Sequence, residues 1–180
     1  MTARSHYVGG WRVDLDRRSG PRLVSAAGLV RLVAAALGAA GAPAPASIGL
    51  ILTADAALAD LNREHMGADG PTDVLSFPLL PPSAFPAHPG RVVRGEPSGD
   101  RFVLPPGRRP HLGDVVVSVE RAIAQAAEGR GGQTGLVRWS PADELRLLAV
   151  HGVLHVCGWD HAEPVERDAM RALERRLLGQ

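Results

Sequence analysis

Three histidines lie within eleven residues near the C-terminal end of the chain: His151, His155 and His161. On a helix, His151 and His155 project from one face about a turn apart. Gly158 can end that helix in a left-handed conformation that other residues adopt at a cost, so the chain turns back and His161 completes a triangle. Three neutral imidazole nitrogens with no obvious fourth protein ligand suit a Zn²⁺ ion that keeps a water ligand, as in catalytic zinc sites.

Cys157 is the single cysteine of the chain and lies among these histidines. It follows His155 by two positions, and a rotation of about 100° per residue directs its side chain away from the histidine face. We therefore expect Cys157 to be a small buried apolar residue and not a metal ligand. A single cysteine also excludes an internal disulfide and fits a reducing compartment.

The spacing His-x-x-x-His-x-x-Gly-x-x-His is shared with the metzincin class of zinc peptidases, so a peptidase is one alternative. Those enzymes carry a glutamate directly after the first histidine as general base, and this chain has Gly152 there. The missing carboxylate is typically worth about 10² to 10⁴ in rate, which disfavours peptide hydrolysis. Phosphodiester hydrolysis needs less from the protein, because a metal polarises the phosphoryl oxygen and activates water. Asp160 is the nearest carboxylate and could accept a hydrogen bond from a ligand imidazole, or simply be a turn residue.

Length and composition indicate one compact domain over residues 1–180. Apolar residues make up 45% and charged residues 22% of the chain, and the net charge of +1 neither demands nor excludes a nucleic-acid partner. No apolar signal core follows the N-terminus, and prolines at positions 43 and 45 interrupt the uncharged stretch 32–52. We therefore expect a cytoplasmic protein without a membrane span.

Hydrophobic periodicity and turn signals predict an α+β fold. The expected architecture is a small mixed sheet of about four strands packed with helices, with the metal site at the end of a helix in the C-terminal half. Strands are predicted at 11–15, 47–53, 74–77 and 112–118. Helices are predicted from Ser25 to about 37, from Thr53 or Asp55 to about 62, and over 119–128, 140–157 and 164–178. Residues 80–110 read as a long surface loop rich in proline and arginine.

Three ordered motifs resemble those of a known family. His151-Gly-x-x-His155-x-x-Gly158-x-Asp160-His161 resembles the signature of the YbeY family, metal-dependent endoribonucleases of bacterial ribosomal RNA maturation. Leu61-Asn62 followed by Gly-Pro-Thr-Asp-Val-Leu-Ser-Phe-Pro at 70–78 resembles its central strand motif. Leu-Gly-Asp-Val-Val-Val-Ser at 112–118 resembles the strand before its third helix. The likeness covers roughly residues 47–178, with a longer loop at 80–110 than expected.

The resemblance implies roles for individual residues. His151, His155 and His161 would bind one metal ion per chain, usually taken to be zinc. Thr72 and Asp73 would flank the substrate cleft, although a Pro-Thr-Asp sequence before a strand is also good turn chemistry. Asp73 and Asp160 are candidate catalytic residues.

One position departs from the family pattern. Where the family often has an arginine held to help bind or activate the RNA phosphate, this chain has Met66. Arg63, one helical turn earlier, is a candidate replacement and the third candidate catalytic residue. The arginines of the long loop are the other source of phosphate contacts: Arg91, Arg94, Arg101, Arg108 and Arg109.

The resemblance implies a zinc-dependent endoribonuclease, specific for single strands, acting in 3′-end maturation of 16S ribosomal RNA and in ribosome quality control. Its partners would be single-stranded RNA, pre-16S RNA, and the small ribosomal subunit with its assembly proteins. Attack by water and attack by the ribose 2′-hydroxyl both remain open. The main alternative is a metal-stabilised ribosome-assembly factor with little nuclease activity of its own.

Overall fold

The computed structural model describes residues 3–89, 109–129 and 139–180. Within these ranges five strands form one mixed sheet in the order β1-β2-β3-β5-β4, and five helices pack around it. The strands are β1 (Arg4–Val8), β2 (Trp11–Arg17), β3 (Ala46–Thr53), β4 (Val74–Pro78) and β5 (His111–Ser118). The helices are α1 (Ala26–Ala39), α2 (Asp55–Met66), α3 (Val119–Glu128), α4 (Pro141–Val156) and α5 (Pro164–Leu178). The predicted α+β class with a mixed sheet is confirmed.

The sheet has a parallel centre and antiparallel edges. Strands β2, β3 and β5 run parallel, whereas β1 and β4 pair antiparallel with β2 and β5. The prediction of about four strands missed β1. This strand begins with the polar residues Arg4, Ser5 and His6, of which only His6 is partly buried. A short polar edge strand carries little of the apolar alternation that reveals buried strands.

Helices cover both faces of the sheet. The larger core lies between the sheet and the layer containing α1, α4 and α5, and α4 contacts β4, β5 and both other helices of this layer. Helix α2 covers the opposite face, where Leu58 packs against Leu75 and Val116 in a smaller cluster. Because α4 lies in the middle of the larger core, its position relative to the sheet is fixed along most of its length.

The helix boundaries follow the predicted capping signals. The Ser25 hydroxyl accepts a hydrogen bond from the backbone of Gly28 at the start of α1. Ser140 and Asp143 form a capping box at the start of α4, where Pro141 is the first residue. Helix α2 starts at Asp55, one of the two predicted start residues. It runs to Met66, one turn beyond the predicted end at about residue 62.

The predicted long loop at 80–110 lies partly outside the described residues, which omit 90–108. Before that gap, Pro82–Ala84 form a single 3₁₀ turn and Phe85 is buried in the core. The first part of the segment therefore packs against the domain. No helix in the described part of the chain is long and apolar enough to cross a membrane.

Candidate metal centre

The three histidines of the C-terminal motif come together around one point. One ring nitrogen from each of His151, His155 and His161 lies within 4.8 Å of the others. The Nε2 atoms of His151 and His155 are 3.1 Å apart. Nitrogen ligands about 2.0–2.1 Å from a tetrahedral zinc are roughly 3.3 Å from one another, so this separation fits a shared ion. The His161 side is exposed, which leaves the centre open to solvent.

Local sequence explains how α4 and the bend after it produce this convergence. His151 and His155 stand one turn apart on α4, and the helix ends at Val156. Gly158 then adopts a left-handed conformation with φ of 81°, which favours glycine because it lacks a Cβ atom. The backbone N–H of Gly158 donates to the carbonyl of His155, and the reversed chain carries His161 back towards the helix.

Gly152 lets α4 approach the sheet closely. A Cβ atom at this position would lie 2.4 Å from Cγ1 of Val115 and 3.0 Å from Cγ2 of Val74. The hydroxyl of Ser76 also donates a 3.0 Å hydrogen bond to the carbonyl of Gly152. Position 152 therefore faces strands β4 and β5, and the backbone contact leaves no space there for the glutamate that a zinc peptidase carries.

Glu174 orients the first histidine from the neighbouring helix. Its Oε1 atom lies 2.7 Å from Nδ1 of His151, and the Glu174 side chain is 5% exposed. A carboxylate only accepts hydrogen bonds, so Nδ1 of His151 carries the proton and Nε2 presents its lone pair to the centre. This is the carboxylate–histidine arrangement that fixes metal-binding imidazoles.

The centre keeps His155 neutral. Burial, together with the nearby imidazoles of His151 and His161, lowers the pKa of His155 to about 4, and the charge of Asp160 partly opposes this shift. A metal ion binds the neutral form of imidazole. His155 is thus available as a ligand at neutral pH without first losing a proton.

Cys157 lies beside the histidines but does not join them. It is fully buried in the main core, and burial raises the pKa of its thiol to about 12. The group of three histidines that could hold an ion does not include it. Its surroundings are those expected of a small apolar core residue.

Thr72 and Asp73 lie at the entrance to β4, and their polar groups are used within the protein. The Oδ1 atom of Asp73 accepts hydrogen bonds from the hydroxyl of Thr72 and the backbone of Val74, at 3.2 and 2.9 Å. Its Oδ2 atom accepts a 2.9 Å hydrogen bond from Nε2 of Gln125 on α3. These contacts fix the turn before the strand. A role in substrate binding or catalysis stays a prediction for both residues.

Asp160 is adjacent to the centre. Its Oδ1 atom accepts a 2.7 Å hydrogen bond from the backbone N–H of His161, which shapes the bend that brings His161 to the centre. In the described part of the chain, the carboxylate hydrogen-bonded to His151 of the centre is that of Glu174, not that of Asp160. Catalysis by Asp160 stays a prediction.

The candidate phosphate-binding residues lie in different places. Arg63 is on α2, across the sheet from α4, and forms an exposed ion pair with Asp60 at 3.2 Å. Met66, at the family's arginine position, is 53% exposed. Arg109 donates a hydrogen bond to the carbonyl of Gly10 and lies over the ring of Tyr7. Four loop arginines lie outside the described residues: Arg91, Arg94, Arg101 and Arg108. A catalytic role for Arg63 therefore stays a prediction.

Glu144 is a buried acid that sequence reasoning did not single out as part of the site. It lies on α4 two turns before His151, is 3% exposed, and accepts a hydrogen bond from the indole N–H of Trp139. Burial raises the pKa of Glu144 and the charge of Asp73 adds to this shift, whereas the hydrogen bond from Trp139 opposes it. Glu174 was missed as well. Its sequence signal is a glutamate four residues after buried Met170, on the face where the helical period requires apolar residues.

Residues 24–180 match the family model described as Endoribonuclease YbeY. The chain belongs to this family. The curated protein "Endoribonuclease YbeY" of Chloroflexus aurantiacus is 39% identical to this chain over 149 residues, covering 82% of this chain and 81% of the relative. The protein of the same name from Salinispora tropica is 44% identical over 122 residues, covering 67% of this chain and 65% of the relative.

A solved structure supports the fold independently. The solution structure of TM1509 from Thermotoga maritima has a TM-score of 0.52 with this chain at 20% sequence identity. The match covers 94% of this chain and 89% of the other. At this identity the likeness concerns the fold alone.

Proposed function

We propose that this protein is a metal-dependent endoribonuclease that cleaves single-stranded RNA. The observation that carries the proposal is the convergence of three imidazole nitrogens within 4.8 Å at a solvent-accessible edge of a YbeY-family domain. A site with three protein ligands leaves a coordination position for water or substrate.

The residues at the centre fit zinc. The donor set is three nitrogens, one of which is held in the required tautomer by Glu174. His155 is neutral at physiological pH because its pKa is lowered to about 4. When bound, zinc supplies electrophilic stabilisation of the charge that develops on a phosphoryl oxygen.

The protein's own residues would position the RNA. Thr72 and Asp73 would flank the bound RNA, and Asp160 directly precedes the third histidine of the centre. Arg63 is the candidate that would neutralise a phosphate in place of the family's arginine, from a helix that lies across the sheet from α4. Arg63 would have to leave its exposed ion pair with Asp60, which costs little because such pairs are worth about 0–1 kcal/mol.

We place this activity in the 3′-end maturation of 16S ribosomal RNA and in ribosome quality control. The partners would then be pre-16S RNA and the small ribosomal subunit with its assembly proteins, and the compartment the cytoplasm. Membership of the YbeY family supports this assignment.

The test is a cleavage assay with the purified protein and a labelled single-stranded RNA. We expect cleavage that a chelator abolishes and added zinc restores, and little cleavage of the same sequence in a duplex. A 2′,3′-cyclic phosphate on the product would indicate attack by the ribose hydroxyl, and a 3′-hydroxyl would indicate attack by water. Cleavage that survives both the chelator and His155→Ala would come from a contaminating nuclease and contradict the proposal.

A second candidate is a metal-stabilised ribosome-assembly factor that binds RNA without cutting it. Met66 favours it, because a thioether cannot neutralise a phosphate where the family often has an arginine. Metal-dependent stability and RNA binding without any cleavage would support this candidate. A zinc peptidase is the third, and Gly152 argues against it, since that position faces the sheet.

A further inference from the structure

A cavity of about 680 Å³ lies far from the metal centre, at the other edge of the sheet. Three arginines line it from three separate segments: Arg4 from β1, Arg17 from the end of β2, and Arg22 from the loop before α1. We call these three residues and the space between them the arginine pocket. His6 also lines the pocket, and its floor is apolar, formed in part by Leu15 and Val24.

The three arginines have no acidic partner among the described residues, unlike their neighbours on the same hairpin. Arg12 pairs with Asp14 at 3.0 Å, and Arg18 pairs with Asp16 at 2.8 Å. These ion pairs compensate the charges of Arg12 and Arg18. Both acidic side chains of β2 thus pair with other arginines, although Oδ1 of Asp16 is buried without a hydrogen-bond partner, and among the described residues no ion pair compensates the positive charge of the arginine pocket.

Several polar groups in the pocket are poised for an anion. One Nη atom of Arg17 donates a 2.7 Å hydrogen bond to the carbonyl of Val24, which fixes the guanidinium while leaving most of its N–H groups to bind elsewhere. Burial lowers the pKa of Arg17, and the nearby charge of Arg22 lowers it further. In the described part of the chain, the buried Nε2 atom of His6 also has no hydrogen-bond partner. Convergent cations of this kind are stabilised by a bound anion.

We propose that the arginine pocket binds a backbone phosphate of single-stranded RNA and so provides a second substrate contact remote from the metal centre. This inference rests on the proposed function, because the anion is taken to belong to the RNA substrate. The volume is that of ordinary ligand pockets, about 300–1,000 Å³, and the apolar floor can receive a sugar or a base.

The pocket is separate from the metal centre in space and in sequence. It lies at the β1–β2 edge, whereas α4 packs over β4 and β5. Four strand spacings of the sheet, roughly 19 Å, separate β1 from β4. The three arginines also precede residue 24, where the match to the family begins, so family membership assigns them no role.

Protection of the sheet edge is the competing explanation. A charged side chain that points inward from an edge strand discourages pairing with another chain, and Arg4 on β1 would serve that purpose. It does not account for Arg17 and Arg22, which come from β2 and a loop and converge on the same cavity. An anion-binding role explains all three.

The experiment measures binding of a labelled single-stranded RNA by fluorescence anisotropy, in the presence of chelator so that the RNA stays intact. Arg22→Gln is compared with Arg31→Gln, which removes the same charge from an exposed position on α1 outside the pocket. We expect Arg22→Gln to raise Kd about tenfold or more, as for loss of a charged hydrogen bond. The slope of log K against log salt should fall by about 0.7 per lost phosphate contact.

Arg31→Gln should leave both quantities nearly unchanged, and Arg4→Gln/Arg22→Gln should weaken binding more than Arg22→Gln. Because Arg4 and Arg22 are exposed, both variants are expected to fold. Equal Kd and salt slope in Arg22→Gln, the double variant and Arg31→Gln would overturn the inference. Self-association of the variants without a change in RNA binding would assign the arginines to edge protection and overturn it too.

Two further measurements separate this inference from the proposed function. Binding of AMP or inorganic phosphate that depends on Arg22, with no binding of RNA, would indicate a free-nucleotide site and overturn the inference. With zinc, the Arg22→Gln enzyme should cleave RNA with a raised KM, whereas His155→Ala should lose cleavage but keep RNA binding. If the wild type cleaves RNA and the arginine variants bind and cleave it equally well, the inference about the arginine pocket is overturned and the proposed function stands. If RNA binding depends on the pocket but the wild type does not cleave RNA, the nuclease proposal is overturned and the pocket stands as an RNA-binding site.

Discussion

The Nδ1 atom of His151 lies 2.7 Å from Oε1 of Glu174, and this hydrogen bond joins the metal-centre helix α4 to the last helix α5. Because the Glu174 side chain is 5% exposed, little water competes for the contact. The orientation of His151 therefore depends on the packing of the final helix, and α5 shapes the candidate centre without adding a histidine to it.

Replacing Glu174 should weaken metal binding more than it weakens the fold. We expect Glu174→Gln to lower zinc affinity about 10- to 100-fold, the range typical for partners of metal-binding histidines. Competition with a chromogenic chelator measures this affinity. Glu64→Gln, an exposed acid on α2, is the control and should bind zinc like the wild type. Equal affinities in the two variants would show that Glu174 does not orient His151.

The metal-free protein should lose stability as the pH falls from about 6.5 to 4. His155 has a pKa of about 4 in the folded state and the ordinary 6.5 when unfolded. Between these values the unfolded chain binds a proton that the folded chain does not, so unfolding is favoured by acid. The effect is roughly 3 kcal/mol, measurable by urea denaturation across this range in the presence of chelator. In His155→Ala the free energy of unfolding should depend less steeply on pH between about 6.5 and 4. An unchanged pH dependence would contradict the lowered pKa of His155.

Gly152→Ala should destabilise the protein by about 1–3 kcal/mol, because its methyl group would overpack α4 against β4 and β5. Gly38→Ala in α1 is the matched control. Its new Cβ atom would meet the ring of Trp11 at 3.5 Å, an ordinary contact, and alanine favours a helix. The thermal unfolding temperature should therefore be clearly lower for Gly152→Ala than for Gly38→Ala. A Gly152→Ala protein as stable as Gly38→Ala would show that the close approach is not required.

Cys157 should be chemically inert in the folded protein. Its pKa of about 12 leaves almost no thiolate at neutral pH, and the side chain is fully buried. A thiol reagent should label it only after denaturation, and Cys157→Ala should keep the full metal content. Rapid labelling of the native metal-free protein would contradict the buried, unreactive state of the thiol. Loss of metal in Cys157→Ala would indicate that Cys157 contributes to metal binding.

The local features of the centre could be predicted from the sequence. The i, i+4 histidine pair, the left-handed Gly158 and the serine caps of α1 and α4 each depend on a few neighbouring residues. Their conformations follow from backbone sterics and capping, so the spacing of His151, His155 and His161 was sufficient to predict that they converge.

The features that were missed depend on tertiary contacts. Glu174 acquires its partner only when α5 packs on α4, 23 positions from His151 along the chain. Strand β1 is recognisable only once β2 is present to pair with it. The arginine pocket joins three segments that no local motif connects. A polar residue on a buried helix face, such as Glu174, is the one signal in the sequence that could have indicated such a contact.

The most direct test of the account measures zinc content and RNA cleavage together in the wild type and in His155→Ala. We predict one zinc per wild-type chain with chelator-sensitive cleavage of single-stranded RNA, and loss of both in a variant that still folds by circular dichroism. A His155→Ala protein that keeps its zinc, or that keeps cleaving RNA without it, would contradict the central claim that three histidines hold the metal required for cleavage.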